Sequence, residues 1–288
     1  MVNIPLINFN PSINCRGQFL DLQHPVVMGI LNTTPDSFYL ASRVQQKDAI
    51  LYAAQKMVSQ GARILDIGGI STRPGAKIVK EEEELRRVLP AVVLVRQYFP
   101  DIIISVDTFR AKIAQAVLQA GAHIINDISA GNLDPDLLPL IAQWPNVPYI
   151  LMHMQGTPQN MQQNPFYDDV VAEVARFFCQ KITELHQLGV YDIIIDPGFG
   201  FGKTLQHNYT LLKHLHSLIQ ITQGKPLLAG VSRKSMVTRL LKISPQQALN
   251  GTTALHILAL QAGASILRVH DVKPAMQAIA IFEAWQQG

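Results

Sequence analysis

The chain has 288 residues, 48% of them hydrophobic, and its 24 basic and 21 acidic side chains leave a formal net charge of +3. This composition excludes a disordered chain, and the balanced charge argues against a protein that binds nucleic acid or a membrane surface. No apolar run is long enough to span a membrane, and the N-terminus lacks the features of a signal peptide, so we expect a cytoplasmic protein.

Short apolar runs alternate with longer helical segments along the chain. The runs are continuous rather than alternating in polarity, which is typical of strands that are buried on both faces. The predicted strands are Val26–Leu31, Arg63–Ile67, Ile102–Val106, His123–Ile125, Pro148–Met152, Asp192–Ile195, Leu227–Ala229 and Ser265–Val269.

The segments between these runs have helical periodicity. Asp168–Leu188 places apolar residues at three-to-four spacing on one face. Glu81–Tyr98 begins with four glutamates, which suit a helix N-terminus at the surface, and Pro90 predicts a kink or a break inside it. Glycine is the expected helix terminator, and it stands in three Gly-Ala steps before predicted strands, at Gly61, Gly121 and Gly263.

Eight strands with intervening helices predict a (β/α)8 TIM barrel. We expect one domain over residues 26–288, preceded by an N-terminal arm or hairpin over residues 1–25 that closes the barrel floor. A doubly wound open sheet is the alternative, because it shares the local βαβ pattern. The count of eight and the lack of a domain break favour the barrel.

Polar residues follow nearly every predicted strand. Barrel enzymes place their chemistry at the carboxyl ends of the strands, so this pattern predicts an active site there. In chain order these residues are Asn32, Asp66, Asp107, Asn126, Asp127, His153, Asp196, Ser232, Arg233, Lys234, Arg268 and His270.

Each of these residues also has a structural interpretation. Asp107 and Asp127 can be simple caps of the following helices, and Arg233 can be solvated or structural. Asp66 differs, because it lies inside an apolar strand, where an unpaired charge is costly.

Metal clusters find little support in the sequence. His153 has no second histidine at ligand spacing, so we expect a packed histidine rather than a zinc ligand. Cys15 and Cys179 lack CxxC partners, which argues against a disulfide framework and favours a reducing compartment.

The remaining groups suit two adjacent pockets. Four cations suit a pyrophosphate, namely Arg73, Lys234, Arg268 and His270. Three groups can pair with the N–H edge of an aminopyrimidine, namely Asp107, Asn126 and Asp196. Asn32 offers an oxygen of the kind that Mg²⁺ prefers.

Eight short motifs in this order resemble the dihydropteroate synthase family, from about Asp21 to the C-terminus. They are MGILNTTPDSF (28–38), STRPG (71–75), SVDT (105–108), IIND (124–127), LMHM (151–154), DPGFGFGK (196–203), SRK (232–234) and RVH (268–270). The resemblance implies that 6-hydroxymethyl-7,8-dihydropterin pyrophosphate condenses with 4-aminobenzoate in an SN1-like displacement, giving dihydropteroate and pyrophosphate. It also implies Mg²⁺ as a cofactor, a homodimer and a sulfonamide target.

The resemblance assigns roles to individual residues. Those implied in pterin binding are Asp107, Asn126, Met152, Asp196, Phe201, Lys234 and Arg268. Those implied in pyrophosphate binding are Asn32, Thr72, Arg73, Arg268 and His270, with Asn32 also holding Mg²⁺. Those implied around 4-aminobenzoate are Phe38, Thr72, Pro74, Ser232 and Lys234. The implied catalytic residues are Asp107, Lys234, Arg73 and Asn32.

Two departures from the family pattern concern loops. Ile70 stands where the family often has glutamate, and Tyr39–Ser42 replaces a stretch that usually contains an acid and two glycines. Two other hypotheses stay open. A corrinoid-type pterin methyltransferase shares the barrel but does not need the STRP and SRK motifs, and a catalytically dead barrel would bind pterin without turnover.

Overall fold

An antiparallel hairpin begins the computed structural model, which describes residues 12–33, 43–70 and 79–288. Strand β1 (Ser12–Cys15) pairs with β2 (Gln18–Asp21). The buried Ile13 and Leu20 pack against the inward-facing residues at the amino-terminal ends of the barrel strands. Arg16, in the turn, donates from Nη1 to the carbonyl oxygens of Leu118 and Ala122, each at 2.7 Å. The hairpin therefore covers the floor of the barrel.

Eight parallel strands form the barrel. They are β3 (Val26–Asn32), β4 (Ile64–Gly68), β5 (Ile103–Asp107), β6 (Ile124–Asp127), β7 (Tyr149–Met152), β8 (Ile193–Asp196), β9 (Leu228–Ala229) and β10 (Ile266–Val269). Neighbours follow the order β8-β7-β6-β5-β4-β3-β10-β9, and a parallel bridge between Ile195 and Leu227 closes the ring. The predicted (β/α)8 fold is confirmed, and the open-sheet alternative is wrong.

The described helices lie outside the strands. They are α1 (Arg43–Ser59), α2 (Glu81–Tyr98), α3 (Ala111–Gln119), α4 (Leu137–Ala142), α5 (Val170–Gln187), α6 (Leu205–Lys213), α7 (Leu215–Ile221), α8 (Ser235–Leu241), α9 (Leu249–Gln261) and α10 (Val272–Gln287). A large apolar layer between helices and strands and a smaller one inside the barrel form the core. Among the described helices, none combines the length and the apolar character of a membrane span.

Glycines terminate helices as predicted. Gly61, Gly121 and Gly263 follow α1, α3 and α9 with φ of 102°, 101° and 99°, a region that side chains disfavour. Of the kink or break predicted at Pro90, the break is wrong, because α2 is continuous from Glu81 to Tyr98. Pro90 lies on the exposed face of α2, where water can solvate the carbonyl group that loses its N–H partner.

Candidate active site at the carboxyl ends of the barrel strands

Parallel pairing brings the polar residues of neighbouring strand ends side by side. Across β3, β4, β5 and β6 the paired residues are Asn32, Gly68, Asp107 and Asn126. Farther around the barrel, Met152 of β7 pairs with Asp196 of β8. The carboxyl ends of parallel strands share one rim of the barrel, so the structure gathers these sequence-predicted residues on one side.

A buried ion-pair cluster, which we call the acid–arginine cluster, joins Asp66, Asp107 and Arg268. Arg268 donates from Nε to Asp66 Oδ2 at 2.6 Å and from Nη2 to Asp107 Oδ2 at 2.8 Å. Asp66 is fully buried and also accepts from Ser105 Oγ at 2.7 Å and from Asn126 Nδ2 at 3.1 Å. The charge inside the apolar strand is therefore paired, and Asp66 orients both Arg268 and Asn126.

Two residues of the acid–arginine cluster, Asp107 and Arg268, have shifted pKa values. The pKa of Asp107 is raised to about 7, mainly by burial; the attraction of Arg268 opposes the rise, and the negative charges of Asp66, Glu84 and Asp127 add to it. Burial alone would lower the pKa of Arg268, but its attraction to Asp66 and Asp107 is stronger and raises it. Arg268 therefore stays charged, while Asp107 is poised to change charge near neutral pH.

Asp107 and Asp127, which the sequence also allows as simple helix caps, have different environments. Asp127 accepts from the backbone N–H groups of Ser129 at 2.7 Å and Gly131 at 2.6 Å, and from Tyr149 Oη at 2.6 Å. It therefore stabilises the loop after β6. Asp107 instead pairs with Arg268 and lies on the rim.

Asp196 and Lys234 meet above Gly230. A methyl group placed on Gly230 would lie 3.5 Å from Lys234 Nζ and 3.9 Å from Asp196 Oδ2. Lys234 Nζ donates to Phe199 O at 2.6 Å and lies 4.9 Å from the centroid of the Phe201 ring. Burial lowers the pKa of Lys234 to about 8, opposed by Asp196, and burial raises the pKa of Asp196. The Asp196 carboxylate, the Lys234 ammonium group and the face of the Phe201 ring therefore lie close together.

Lys203 stabilises the loop after β8 through hydrogen bonds to backbone carbonyl groups. Its buried Nζ donates to the carbonyl oxygens of Phe201 at 3.0 Å, Gly198 at 3.1 Å and His153 at 3.3 Å, and lies 2.9 Å from His153 Nδ1. Burial and then Lys203 lower the pKa of His153 to about 2, so the ring is neutral. His153 packs edge-on against Phe177, as expected for a packed histidine. No spacing in the sequence links Lys203 to these acceptors.

Gly198 permits the close approach of this loop to β7. Its φ is 67°, and a Cβ there would collide with the carbonyl oxygen of His153. We expect Gly198→Ala to cost about 3 kcal/mol or more of stability, because backbone must shift. Gly189→Ala is the matched control, since φ is 82° there with nothing within 4 Å of an added Cβ, and should cost about 1 kcal/mol. Urea unfolding measures both, and equal losses would contradict the steric argument.

Ser232 and His270 lie side by side just after the carboxyl ends of β9 and β10. Ser232 Oγ is 3.1 Å from His270 Nδ1 and accepts from the His270 backbone N–H at 3.2 Å. Arg233, between Ser232 and Lys234, makes two bonds to Asp271, at 2.7 and 2.9 Å, and donates to the carbonyl oxygens of Pro245 and Gln246. Arg233 therefore has the structural role that the sequence allowed.

A cleft of about 550 Å³ opens above these residues. It contains five residues that were predicted for the site, namely Phe201, Ser232, Lys234, Arg268 and His270. It also contains polar residues that the sequence argument missed, among them Gln162, Ser235, Thr238, Arg239 and Gln246. These come from loops and from the first turns of α8, which no strand-end rule selects.

Part of the predicted site lies outside the described residues. This concerns Phe38, Thr72, Arg73 and Pro74, and also the departure at Tyr39–Ser42. Ile70, the other departure, is described. It is buried and packs with Phe109, Ile128 and Met152, so this position contributes to an apolar wall beside the rim.

The expectation that the whole glutamate run lies on the surface is wrong for Glu84. This side chain is fully buried; Oε1 accepts from Thr108 Oγ1 at 2.7 Å, and Oε2 pairs with Arg110 Nη1. Its position four and eleven residues before Val88 and Val95 places it on the buried face of α2. That spacing identifies Glu84 as a residue of the buried face, whereas the acidic first turn of α2 predicts a surface position for it.

Comparison with known proteins agrees with this geometry. The family model described as pterin binding enzyme matches residues 28–270. The dihydropteroate synthase of Escherichia coli K12 is 46% identical over 271 residues, covering 93% of this chain and 94% of that protein.

Solved structures agree as well. The Yersinia pestis dihydropteroate synthase in a sulfonamide drug complex has a TM-score of 0.90 and 47% identity, covering 96% of this chain and 100% of that one. The Xanthomonas albilineans dihydropteroate synthase with 4-aminobenzoic acid has a TM-score of 0.89 and 43% identity, covering 97% and 99%. The chain belongs to the dihydropteroate synthase family of pterin-binding enzymes.

Proposed function

We propose that this protein is a dihydropteroate synthase, which condenses 6-hydroxymethyl-7,8-dihydropterin pyrophosphate with 4-aminobenzoate to give 7,8-dihydropteroate and pyrophosphate. The observation that carries the proposal is the convergence of Asp107, Asn126 and Asp196 with Lys234 and Arg268 at one barrel rim. The relatives that bear this name align over more than nine tenths of the chain.

The pterin ring would occupy the space between β5 and β9. The Asp196 carboxylate would accept from the amino and ring N–H groups, and Asn126 can both donate and accept on the same edge. Lys234 Nζ would face the ring carbonyl. Met152, which is buried at the end of β7, and Phe201 would pack on the ring faces.

The reaction breaks the bond between the pterin methylene carbon and the pyrophosphate oxygen, and the pyrophosphate leaves with the electron pair. The resulting cation is delocalised over the pterin, and the Asp107 carboxylate would stabilise it. The amino nitrogen of 4-aminobenzoate then forms the new carbon–nitrogen bond and loses a proton. Arg268 and His270, together with Thr72 and Arg73, would bind the departing pyrophosphate.

Asn32 would hold Mg²⁺ on the pyrophosphate side of the site. Within the described residues no group of three or more His, Cys, Asp or Glu side chains forms a metal site. Mg²⁺ is often held by few protein oxygens together with substrate phosphates, and the amide oxygen of Asn32 at the end of β3 fits such a sparse donor set. When bound, the ion would neutralise charge on the leaving pyrophosphate.

The 4-aminobenzoate would enter from the cleft. Ser232 and Lys234 line it, and Phe38, Thr72 and Pro74 would complete the pocket from outside the described residues. In this arrangement the amine would face the pterin methylene carbon and the carboxylate would face the cleft.

One assay tests the proposed function against both other hypotheses. The purified protein with Mg²⁺, dihydropterin pyrophosphate and 4-aminobenzoate should release pyrophosphate and form dihydropteroate in equal amounts, as followed by a coupled phosphate assay and chromatography. Without 4-aminobenzoate no dihydropteroate should form. Pterin binding without turnover would favour the dead barrel, and methyl transfer from a methylated pterin to a corrinoid would favour the methyltransferase.

We also propose that the protein is a homodimer. Exposed apolar side chains on the later helices support this, because they would be covered by a second copy; they include Leu240 and Leu241 of α8, Leu258 of α9, and Ile281 and Trp285 of α10. Sedimentation equilibrium should give twice the chain mass of 31.9 kDa.

Cys15 and Cys179 are free thiols, which supports a cytoplasmic location.

A further inference from the structure

A buried carboxylate on an outer helix reaches the strand that carries Asp107. Glu84 of α2 is fully buried, although α2 lies outside the barrel. Its Oε1 accepts from Thr108 Oγ1 at 2.7 Å, and Thr108 directly follows Asp107. The backbone N–H of Thr108 in turn donates to Asn126 O at 3.1 Å. One hydrogen bond therefore connects Glu84 to the junction of two strands that end in the candidate site.

Arg110 completes this arrangement from the other side. Its Nη1 pairs with Glu84 Oε2, and its Nη2 donates to Val79 O at 2.7 Å. The backbone N–H of Arg110 is 3.3 Å from Thr108 Oγ1. Residues 108 and 110 are thus both tied to Glu84, so the turn that leaves β5 is fixed at two points.

We propose that Glu84 is a positioning residue for the condensation, holding Asp107 in place through Thr108 and acting on it by its negative charge. The inference rests on the proposed function, because it concerns the role of Asp107 in that reaction. Glu84 itself is too deeply buried to touch a substrate. Its charge is compensated by Arg110, as a buried carboxylate requires.

The charges around Asp107 define the electrostatic part of this role. The charged groups that face it are Arg268 from β10, Asp66 from β4, Asp127 from β6 and Glu84 from α2, together with Lys234 from the turn before α8. Arg268 favours the ionised form of Asp107, and the three acids oppose it. Loss of the Glu84 charge would leave Arg110 uncompensated, so the pKa of Asp107 would fall.

Glu84→Gln and Thr108→Val separate the charge from the hydrogen bond. E84Q keeps an oxygen for Thr108 but removes the charge, whereas T108V removes the hydroxyl and keeps the Glu84–Arg110 pair. We expect either change to lower kcat about tenfold or more, since small displacements of a reacting group are costly, with little change in the KM for 4-aminobenzoate. In E84Q alone, the acid limb of the kcat/KM profile for the pterin substrate should move to lower pH.

Glu82→Gln is the matched control, because Glu82 precedes Glu84 by two residues on α2 and is exposed. It should keep the wild-type kcat and pH profile. Circular dichroism and thermal melts would establish that each variant is folded at the assay temperature. If E84Q does not fold, T108V alone decides: reduced kcat with unchanged KM for 4-aminobenzoate supports the proposal, and wild-type kcat overturns it.

Turnover by the wild-type protein is measured first, and its absence would count against the proposed function rather than against this inference. With an active wild type, a folded E84Q that keeps the wild-type kcat and pH profile overturns the inference. A melting temperature that falls while kcat and the profile stay unchanged also overturns it, because Glu84 would then be only structural.

Discussion

Asp196→Asn is expected to raise the Kd for dihydropterin pyrophosphate about a hundredfold, which corresponds to about 2.7 kcal/mol. The carboxylate is buried, and its Oδ1 already accepts from the Gly198 backbone N–H at 2.8 Å. Oδ2 faces the space above Gly230 that the pterin would occupy. An amide nitrogen there would meet the N–H groups of the ring donor to donor, and a charge-assisted pair would be lost.

Calorimetric titration with dihydropterin pyrophosphate measures this effect directly. Asp101→Asn is the control, because that side chain is exposed at the opposite end of β5, and its affinity should match the wild type. The pKa of Lys234 should also fall below its value of about 8 in the Asp196 variant, since Asp196 raises it. An unchanged Kd would remove Asp196 from the pterin site.

Arg268→Met should reduce both stability and turnover. It leaves the fully buried Asp66 and the partly buried Asp107 without their shared cation, and breaking a buried ion pair costs about 3–5 kcal/mol. For a chain of this size the melting temperature should fall by roughly 10 °C. Turnover should fall at least about a hundredfold, because the same guanidinium would bind the pterin or the pyrophosphate.

The loss of stability in Arg268→Met should depend on pH. The pKa of Asp107 is already raised to about 7 against the opposition of Arg268, so it should rise further in the variant. A carboxyl group whose pKa is raised in the folded state destabilises the fold as pH increases through that range. The deficit relative to wild type should therefore be larger at pH 8 than at pH 6. Arg239 lies on the exposed rim of the cleft. Arg239→Met should therefore show neither the loss of stability nor the loss of turnover.

The sequence was a good guide wherever one local rule decided the outcome. Continuous apolar runs located all eight strands to within about two residues, because strands in a barrel are buried on both faces. The cost of an unpaired charge marked Asp66 as a residue that needs a partner. The partner itself lies 202 residues away on β10, and only closure of the barrel brings the two together.

Errors arose where two local rules competed. Glu84 satisfies both the acidic first turn of a helix and the apolar stripe of α2, and the structure follows the stripe. Pro90 violates helix propensity, yet packing of Val88, Ala91 and Val95 keeps α2 continuous. In each case tertiary packing outweighed a local preference.

The bridge that closes the barrel has a thermodynamic consequence for ligand binding. The joint between β8 and β9 rests on the bridge between Ile195 and Leu227, whereas β4 pairs with β5 over five residues. Local opening favours regions with few backbone hydrogen bonds, so we expect the barrel to open at this joint at a low free energy. Asp196 lies at the end of β8, and Lys234 follows β9. A pterin bound by both residues would therefore link the two strands across this joint. Bound substrate would then stabilise the closed form of the barrel.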